Sequence, residues 1–450
     1  MGFLTGIISM YILGIIFSYS LYVKQWYLCI VILILIFILA FNEQYFKKRT
    51  LIFILFFIVP IFSYFSIINT HFSNKIWVYV SKESTYGYIA QYNNLTVYLS
   101  GNFKKLANES LEGKNVLIKG TYSYKIDAFK GVLGNFKVDE IIKEENTLNY
   151  YIGKYKIYLY DKFRPYLGDK NTSYVMALVF GEDKFISKSE KDDLKTLGIL
   201  HVLSVSGFHM VLIFGIFKRF FNVKTAILLT FLYLLLTGVD SSSLRAFIMI
   251  FIAKMSSIFH RSYNSKSALY FAALIILVMN PFNLFNIGFL LSFGATLGIL
   301  MYNKKISKML PSFLFKFNGE LAMTISAQVF ILPMLWLTFG GVNTIFLIGN
   351  ILLIPFYTVI IYLSSLMFVL LEFNFIIVYL AKIINYLFYA LDGAKRFLLN
   401  IDMPVLDFNA ELCLLYILVF IFIATLKYTK RYRKELLVFT TCIYILATFL

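Results

Sequence analysis

Two histidines and two serines sit close together in the stretch His201-Val-Leu-Ser-Val-Ser-Gly-Phe-His-Met-Val-Leu-Ile213. It opens an apolar run that continues to Phe217, a length approaching that of a membrane span. Polar side chains in such a run are costly unless they meet partners or water. At about 100° per residue His201 and Ser204 are helical neighbours, as are Ser206 and His209. The spacing therefore predicts one helix carrying all four on a broad arc that faces a bundle interior. Gly207 sits elsewhere on that helix and admits the close approach of a second backbone. Two readings of the arc stand side by side: interhelical hydrogen bonding alone, or the wall of a polar route. A third, an intramembrane serine nucleophile at Ser206, fits poorly. His209 is close in sequence on the same helix, and position 204 is Ser where a Gly-x-Ser-Gly would need glycine.

The elements that must position this arc are membrane helices. The chain has 450 residues, is 60% hydrophobic and has a mean hydropathy of +0.76, which excludes an ordinary soluble domain. The reading is a polytopic α-helical membrane protein of about 13 spans: 3–23, 26–41, 51–68, 201–217, 225–239, 245–259, 267–280, 286–301, 320–338, 345–371, 375–391, 411–426 and 436–450. The run 345–371 is long for one plain helix and holds Asn350 and Pro355, so a broken or re-entrant segment fits as well. Basic clusters at Lys47-Lys48-Arg49, Lys218/Arg219/Lys224, His260/Arg261/Lys266, Lys304/Lys305/Lys308 and Lys427–Lys434 all fall on the cytoplasmic side of one topology. That topology leaves residues 71–200 extracytoplasmic; Lys395-Arg396 is its weak point. Much of the net charge of +18 is therefore topology signal, and basicity argues for nucleic acid only weakly. The cysteines, Cys29, Cys413 and Cys442, lie in apolar runs and form no CxxC. The first span lacks a basic leader and a cleavage site, and reads as a retained helix.

Between His71 and Lys143 the pattern changes to short alternating runs. Residues 76–80, 86–92, 95–99, 115–124 and 132–142 read as strands, with turns at Asn93-Asn94, Ser100-Gly101 and Glu112-Gly113-Lys114. Five strands in so short a stretch suit a small closed barrel, and an OB-fold-like domain is the natural candidate. Tyr86, Tyr88, Tyr92, Tyr122 and Tyr124, with Lys119, Lys125 and Lys130, are read as exposed groups that stack bases and track phosphates. The alternative is that most of the aromatics are barrel core. Leu148, Tyr151, Ile152, Tyr155, Leu159 and Phe163 follow helical spacing, as an amphipathic helix on the membrane surface or packed on the barrel. Ser187-x-x-Glu190 is a capping box, and Gly198 suits the end of the short helix it opens.

Gly181-Glu-Asp and Leu197-Gly-Ile-Leu-His-Val-Leu-Ser-Val-Ser-Gly-Phe-His-Met resemble the signature of the ComEC competence family. So do Tyr233-Leu-Leu-Leu-Thr-Gly238 with Ser241-Ser-Ser-Leu-Arg-Ala246 and Met249, and Asn280-Pro281 with Gly288-Phe-Leu-Leu-Ser-Phe293 and Ala295. Ser326-Ala-Gln328 with Pro333 and Phe339, and Asn350 with Pro355, resemble later elements of the same signature. One departure is Leu290, where the family usually has glutamine. The resemblance implies a channel that conducts single-stranded DNA across the bacterial cytoplasmic (inner) membrane during natural transformation; a small-solute transporter is the alternative. It is a channel reading, without catalysis or cofactor. No Walker-type loop supplies energy, and the four histidines cannot supply the clustered metal ligands of the metallo-β-lactamase-like domain many members carry.

The implied partners are single-stranded DNA, membrane lipids, a periplasmic or surface DNA receptor and a cytoplasmic helicase-like ATPase; a homo-oligomer is left open. The DNA pathway is assigned to His201, Ser204, Ser206, Gly207, His209, Gly238, Arg245, Ser292, Gln328 and Asn350. For Arg245 a phosphate contact and snorkelling to the interface both fit. The expected organisation is N-terminal spans in 1–70, the OB-fold-like domain in 71–147 and the interfacial helix in 148–170. The channel domain follows in 171–426, and a basic loop with a last span in 427–450.

Overall fold

The computed structural model describes residues 2–41, 44–69, 72–84, 87–93, 95–106, 109–127, 132–310, 318–339, 341–401, 403 and 405–407. These form two compact units. One runs to residue 155 and includes 270–290; the other takes 156–269 and the described residues from 291 onward.

The first unit opens with three helices, α1 (Gly2–Tyr22), α2 (Trp26–Phe41) and α3 (Gln44–Ile68). Gly14 of α1 lies so close to α3 that a Cβ there would stand 2.4 Å from the Phe57 carbonyl oxygen. A small residue is what allows two apolar helices to approach this tightly. A closed five-stranded barrel follows: β1 (Lys75–Ser84), β2 (Gly87–Tyr92), β3 (Leu95–Ser100), β4 (Lys114–Asp127) and β5 (Val132–Asn146), with a one-turn helix α4 (Phe103–Leu106) before β4. The strand order around the barrel is β1-β2-β3-β5-β4, and β3 with β5 is its parallel pair. All five expected strands are present. Alternation along β3 buries Leu95, Val97 and Leu99, and the core adds Val78, Val80, Val116, Ile118 and Phe136. β4 and β5 run longer than the apolar pattern indicates because they pair with each other over most of their length, from Lys114↔Asn146 to Asp127↔Val132. That pairing carries polar residues into strand.

α5 (Leu148–Phe180) is two helical stretches in succession, separated by a kink at Gly168 (φ 77, ψ 165) shortly after Pro165. The helix expected at 148–170 is thus its first part. The single apolar stripe expected there divides: Leu148, Tyr151 and Tyr155 are exposed, whereas Leu159 and Phe163 are buried. α6 (Lys188–Thr196) begins at Ser187 with the serine half of the expected capping box. Ser187 Oγ accepts the Glu190 N–H at 3.3 Å and donates to the Glu190 carboxylate at 3.0 Å. Gly198 follows its end at φ 69, the left-handed position glycine takes after a helix.

The remaining helices are α7 (Gly207–Phe220), α8 (Val223–Thr237), α9 (Ser241–Ile258), α10 (Ser265–Met279), α11 (Ile287–Met309), α12 (Asn318–Phe339), α13 (Phe346–Val369) and α14 (Asn374–Leu399). A short pair, β6 (Gly341–Asn343) and β7 (Val405–Asp407), is antiparallel. In the second unit, one core joins α5, α6, α13 and α14 through Phe163, Tyr174, Leu194, Leu353, Tyr357, Ile384 and Phe388.

Seven described helices, counting the stretch Leu200–Phe220 as one, are long and apolar enough to cross a membrane; α8 and α10 are shorter apolar helices. α13 passes through Pro355 without interruption, so of the alternatives for 345–371 a broken helix is not formed. The spans expected at 411–426 and 436–450, the cluster Lys427–Lys434, Cys413 and Cys442 lie outside the described residues.

Candidate functional site around Arg245

α8 ends at Gly238 (φ 94, ψ 142), a conformation that favours glycine although its surroundings are open. The turn leads into α9, whose second turn places Arg245. The side chain is buried, at 9% exposure. Its Nε donates to Ser292 Oγ of α11 at 2.8 Å, and Ser292 Oγ donates to Ser242 Oγ at 3.2 Å. Nη1 points at Met249 Sδ, 3.8 Å away, and the guanidinium carbon lies 5.9 Å from the centre of the Phe293 ring. Among the described residues no carboxylate pairs with it. Gly207, the first residue of α7, closes the other side: a Cβ there would stand 2.7 Å from Arg245 Nη2.

An arginine presents five N–H donors in a planar fork. Here Nε is satisfied by a serine and Nη1 meets only a weak sulfur acceptor. The fork therefore retains donors for a planar or tetrahedral oxyanion, which an arginine binds bidentately. The helix positions are legible as a stripe: Ser242, Arg245 and Met249 lie three and four residues apart on one face of α9.

His209 is almost fully buried, at 1% exposure. Its Nδ1 accepts the Ser206 backbone N–H at 3.1 Å and lies 3.0 Å from Ser206 Oγ. An accepting Nδ1 leaves the proton on Nε2, and Nε2 is buried without a partner. Ser206 is the N-cap of α7, so the expected single helix through all four polar residues is not formed. His201 lies in the 3-10 turn Leu200–Val202 and the chain is non-helical from Leu203 to Ser206. Helical spacing was the wrong rule there because Ser206 and Gly207 start a helix rather than continue one. His201 and Ser204 are exposed, and Ser204 Oγ donates to the His201 carbonyl at 3.1 Å.

Of the residues assigned to a pathway, the structure brings together Gly207, Arg245 and Ser292. Ser206 and His209 form a second pair on the same helix end as Gly207. Gln328 on α12 and Asn350 on α13 each bury a side-chain oxygen with no partner, and no hydrogen bond joins them to Arg245. Ser242 and Phe293 complete the cluster and were passed over as site residues, although both stand within the motifs that carry Arg245 and Ser292. Tyr233 has a structural part: its hydroxyl donates to the Val179 carbonyl at 2.6 Å and ties α8 to the end of α5. Asn280 caps the 3-10 turn that Pro281 opens, accepting the Phe282 N–H at 2.9 Å, so this Asn-Pro pair is a turn device.

The barrel residues assigned to DNA capture separate in the same way. Tyr88 is buried, at 6% exposure, edge-on to Phe103. Its exposure was expected and is corrected: on β2 the inward positions are Tyr88 and Ala90. Tyr92 and Tyr122 are half-buried and pack on Phe72, with ring centres 5.0 Å and 3.8 Å away. Lys119 is exposed. Tyr124 and Lys125 lie on β4, where only the backbone is described, and Tyr86 and Lys130 lie outside the described residues.

Fold and site together define a mostly helical protein with several membrane-length apolar helices, a small β-barrel and a buried, hydroxyl-bound arginine. Residues 178–430, more than half of the chain, match the family described as competence protein. The chain belongs to that family. It is 26% identical over 260 residues to ComE operon protein 3 of Bacillus subtilis, covering 55% of this chain and 33% of the relative. An uncharacterized protein of Aquifex aeolicus is 30% identical over 190 residues, covering 39% and 46%. The MG316 homolog of Mycoplasma pneumoniae, also uncharacterized, is 34% identical over 114 residues, covering 24% and 30%. The chain thus spans less than half the length of each of these relatives. No solved structure matches.

Proposed function

We propose that the chain conducts single-stranded DNA across the bacterial cytoplasmic membrane in DNA uptake, as a multi-pass protein without chemistry of its own. The observation that carries this reading is Arg245. A cation buried in a membrane-length helix, with hydroxyls for neighbours and spare N–H donors, lacks a counter-charge that its surroundings do not provide. A phosphate passing along the polynucleotide supplies one. His209 Nε2–H, Gln328 and Asn350 are further polar groups for the same watered route.

The barrel order β1-β2-β3-β5-β4 with parallel β3 and β5 supports an OB-fold-like domain in 71–147, outside the membrane, that receives the strand. The helix 148–170, the channel domain 171–426 and the segment 427–450 complete the organisation. A DNA receptor outside and a helicase-like ATPase inside are the partners such a route needs, because threading a polyanion requires delivery and a motor.

The test is a deletion strain complemented with wild type or Arg245→Ala, following labelled duplex DNA into DNase-resistant outer and cytoplasmic pools. Outer uptake is expected to persist in both, with cytoplasmic entry in the variant about ten- to a hundredfold below wild type. Entry in the deletion strain itself would overturn the channel reading and favour a small-solute transporter.

A further inference from the structure

The barrel and the first turns of α5 carry a patch that shares only Lys119 with the residues read as meeting DNA. Trp77 projects outward from β1 and is 41% exposed, and Lys143 Nζ stands 5.7 Å from its ring centre. Leu117, its partner in register, is also paired with Lys143 on β5. Lys75, two residues along β1 on the same face, pairs in register with Lys119; both are exposed. Two residues the other way, Tyr79 Oη accepts from Asn149 Nδ2 at 2.8 Å, which sets the start of α5 beside the same face. Gly113 packs against the Tyr150 backbone, fixing the rotation of the helix. That rotation leaves Leu148, Tyr151 and Tyr155 outward at 73%, 58% and 49% exposure. Their spacing of three and four residues makes a single stripe, and Lys154 is exposed beside it.

Large apolar and aromatic side chains with lysines among them are the composition of a membrane–water interface. Tryptophan and tyrosine rings sit at headgroup level there, and lysines meet anionic lipid; Lys143 is already paired with Glu145 at 2.5 Å, so that attraction falls to Lys75, Lys119 and Lys154. The chain also sets the distance. Six residues, 69–74, separate the end of α3 at Ile68 from β1 at Lys75. At about 3.5 Å per extended residue the first strand stays within roughly 25 Å of that helix end. A patch of this composition on so short a tether has one surface within reach at all times.

We propose that Trp77, Leu148, Tyr151 and Tyr155, ringed by Lys75, Lys119, Lys143 and Lys154, form a lipid-docking face that rests the barrel on the bilayer the chain spans. Docking holds the barrel in one orientation over the membrane and reserves its other faces for polymer. The proposal rests on the membrane placement given above, which incorporation into nanodiscs reads separately.

The full chain with Trp26→Phe and Trp336→Phe keeps Trp77 as its only tryptophan. In nanodiscs whose lipids carry bromine near the headgroup end of the acyl chain, Trp77 emission is expected to fall by roughly half or more, as for a ring at headgroup level. Adding Leu148→Ser and Tyr151→Ser should restore at least half of the lost emission at an unchanged melting temperature. Trp77 emission insensitive to brominated lipid would overturn the proposal. Quenching by a thymidine oligonucleotide in place of lipid would also overturn it and make the face a nucleic-acid site. Quenching unchanged by the double substitution would overturn the shared patch.

Discussion

Two buried cations of the second unit, Arg245 and Lys395, are provided for in opposite ways. Lys395 of α14 is 8% exposed and stands 2.7 Å from Asp392 Oδ1, with the Tyr174 ring 4.9 Å beneath it. The other Asp392 oxygen takes Lys170 of α5 at 2.5 Å, and Lys170 also reaches Glu190 of α6 at 3.8 Å. Two lysines and two carboxylates balance, and Asn171 with Asn385 adds a neutral link between α5 and α14 at 2.8 Å. Arg245, equally buried, has two serines, a thioether and an aromatic face. A neutralised network ties helices together and has no charge left to offer. An arginine given only hydroxyls can take an external anion without first losing an internal one.

Breaking the neutralised side should cost the most stability. Asp392→Asn leaves Lys395 buried without its acid and should destabilise by about 3–5 kcal/mol, read as a lowered melting temperature in detergent. Adding Lys395→Met should recover part of that loss; full additivity would mean that the pair is not coupled. On the other side, Arg245→Met should leave melting unchanged or raise it. Cytoplasmic DNA entry should fall about ten- to a hundredfold, the worth of one charge-assisted hydrogen-bonded contact of about 1.5–3 kcal/mol. A large fall in melting temperature would show that the serines alone compensate the arginine. Gly207→Ala drives a methyl into Arg245 Nη2 and should cost about 1–3 kcal/mol of strain, displacing the guanidinium and reducing entry with normal insertion. The smallest effect belongs to Ser187→Ala, which removes the α6 cap for about 1 kcal/mol and should leave DNA entry unchanged.

The two regions were also unequally readable. Arg245 and Gly207 stood out because a charge or a glycine in an apolar run demands a reason, and Ser292 through the motif that carries it. The barrel was legible from alternation and turn residues, down to the first and last residues of β3 within one position. Lys395 was visible only as an awkward basic pair; Asp392 three residues before it on α14 is a readable local partner, but Lys170 and Tyr174 come from α5 and no local spacing announces them. The arc from His201 to His209 was misread for a local reason: a serine followed by glycine is a helix start, and periodicity carried through it joins residues that do not share a helix. Tyr88 failed by phase, since one residue along a strand decides inside from outside. Trp77 was read as one more strand former, and its lysine neighbours appear only once β1, β4 and β5 are in register.

The most direct measurement places a photo-crosslinking residue at Ser242, beside Arg245, and separately at Asn385, which bonds Asn171 next to Lys170 of the neutralised network. Uptake of labelled DNA is arrested in transit before illumination. The predicted result is a covalent adduct to single-stranded DNA from position 242 and none from position 385. Adducts at 385 alone, or at neither position while DNA still enters, would contradict Arg245 as the charge that meets the passing strand.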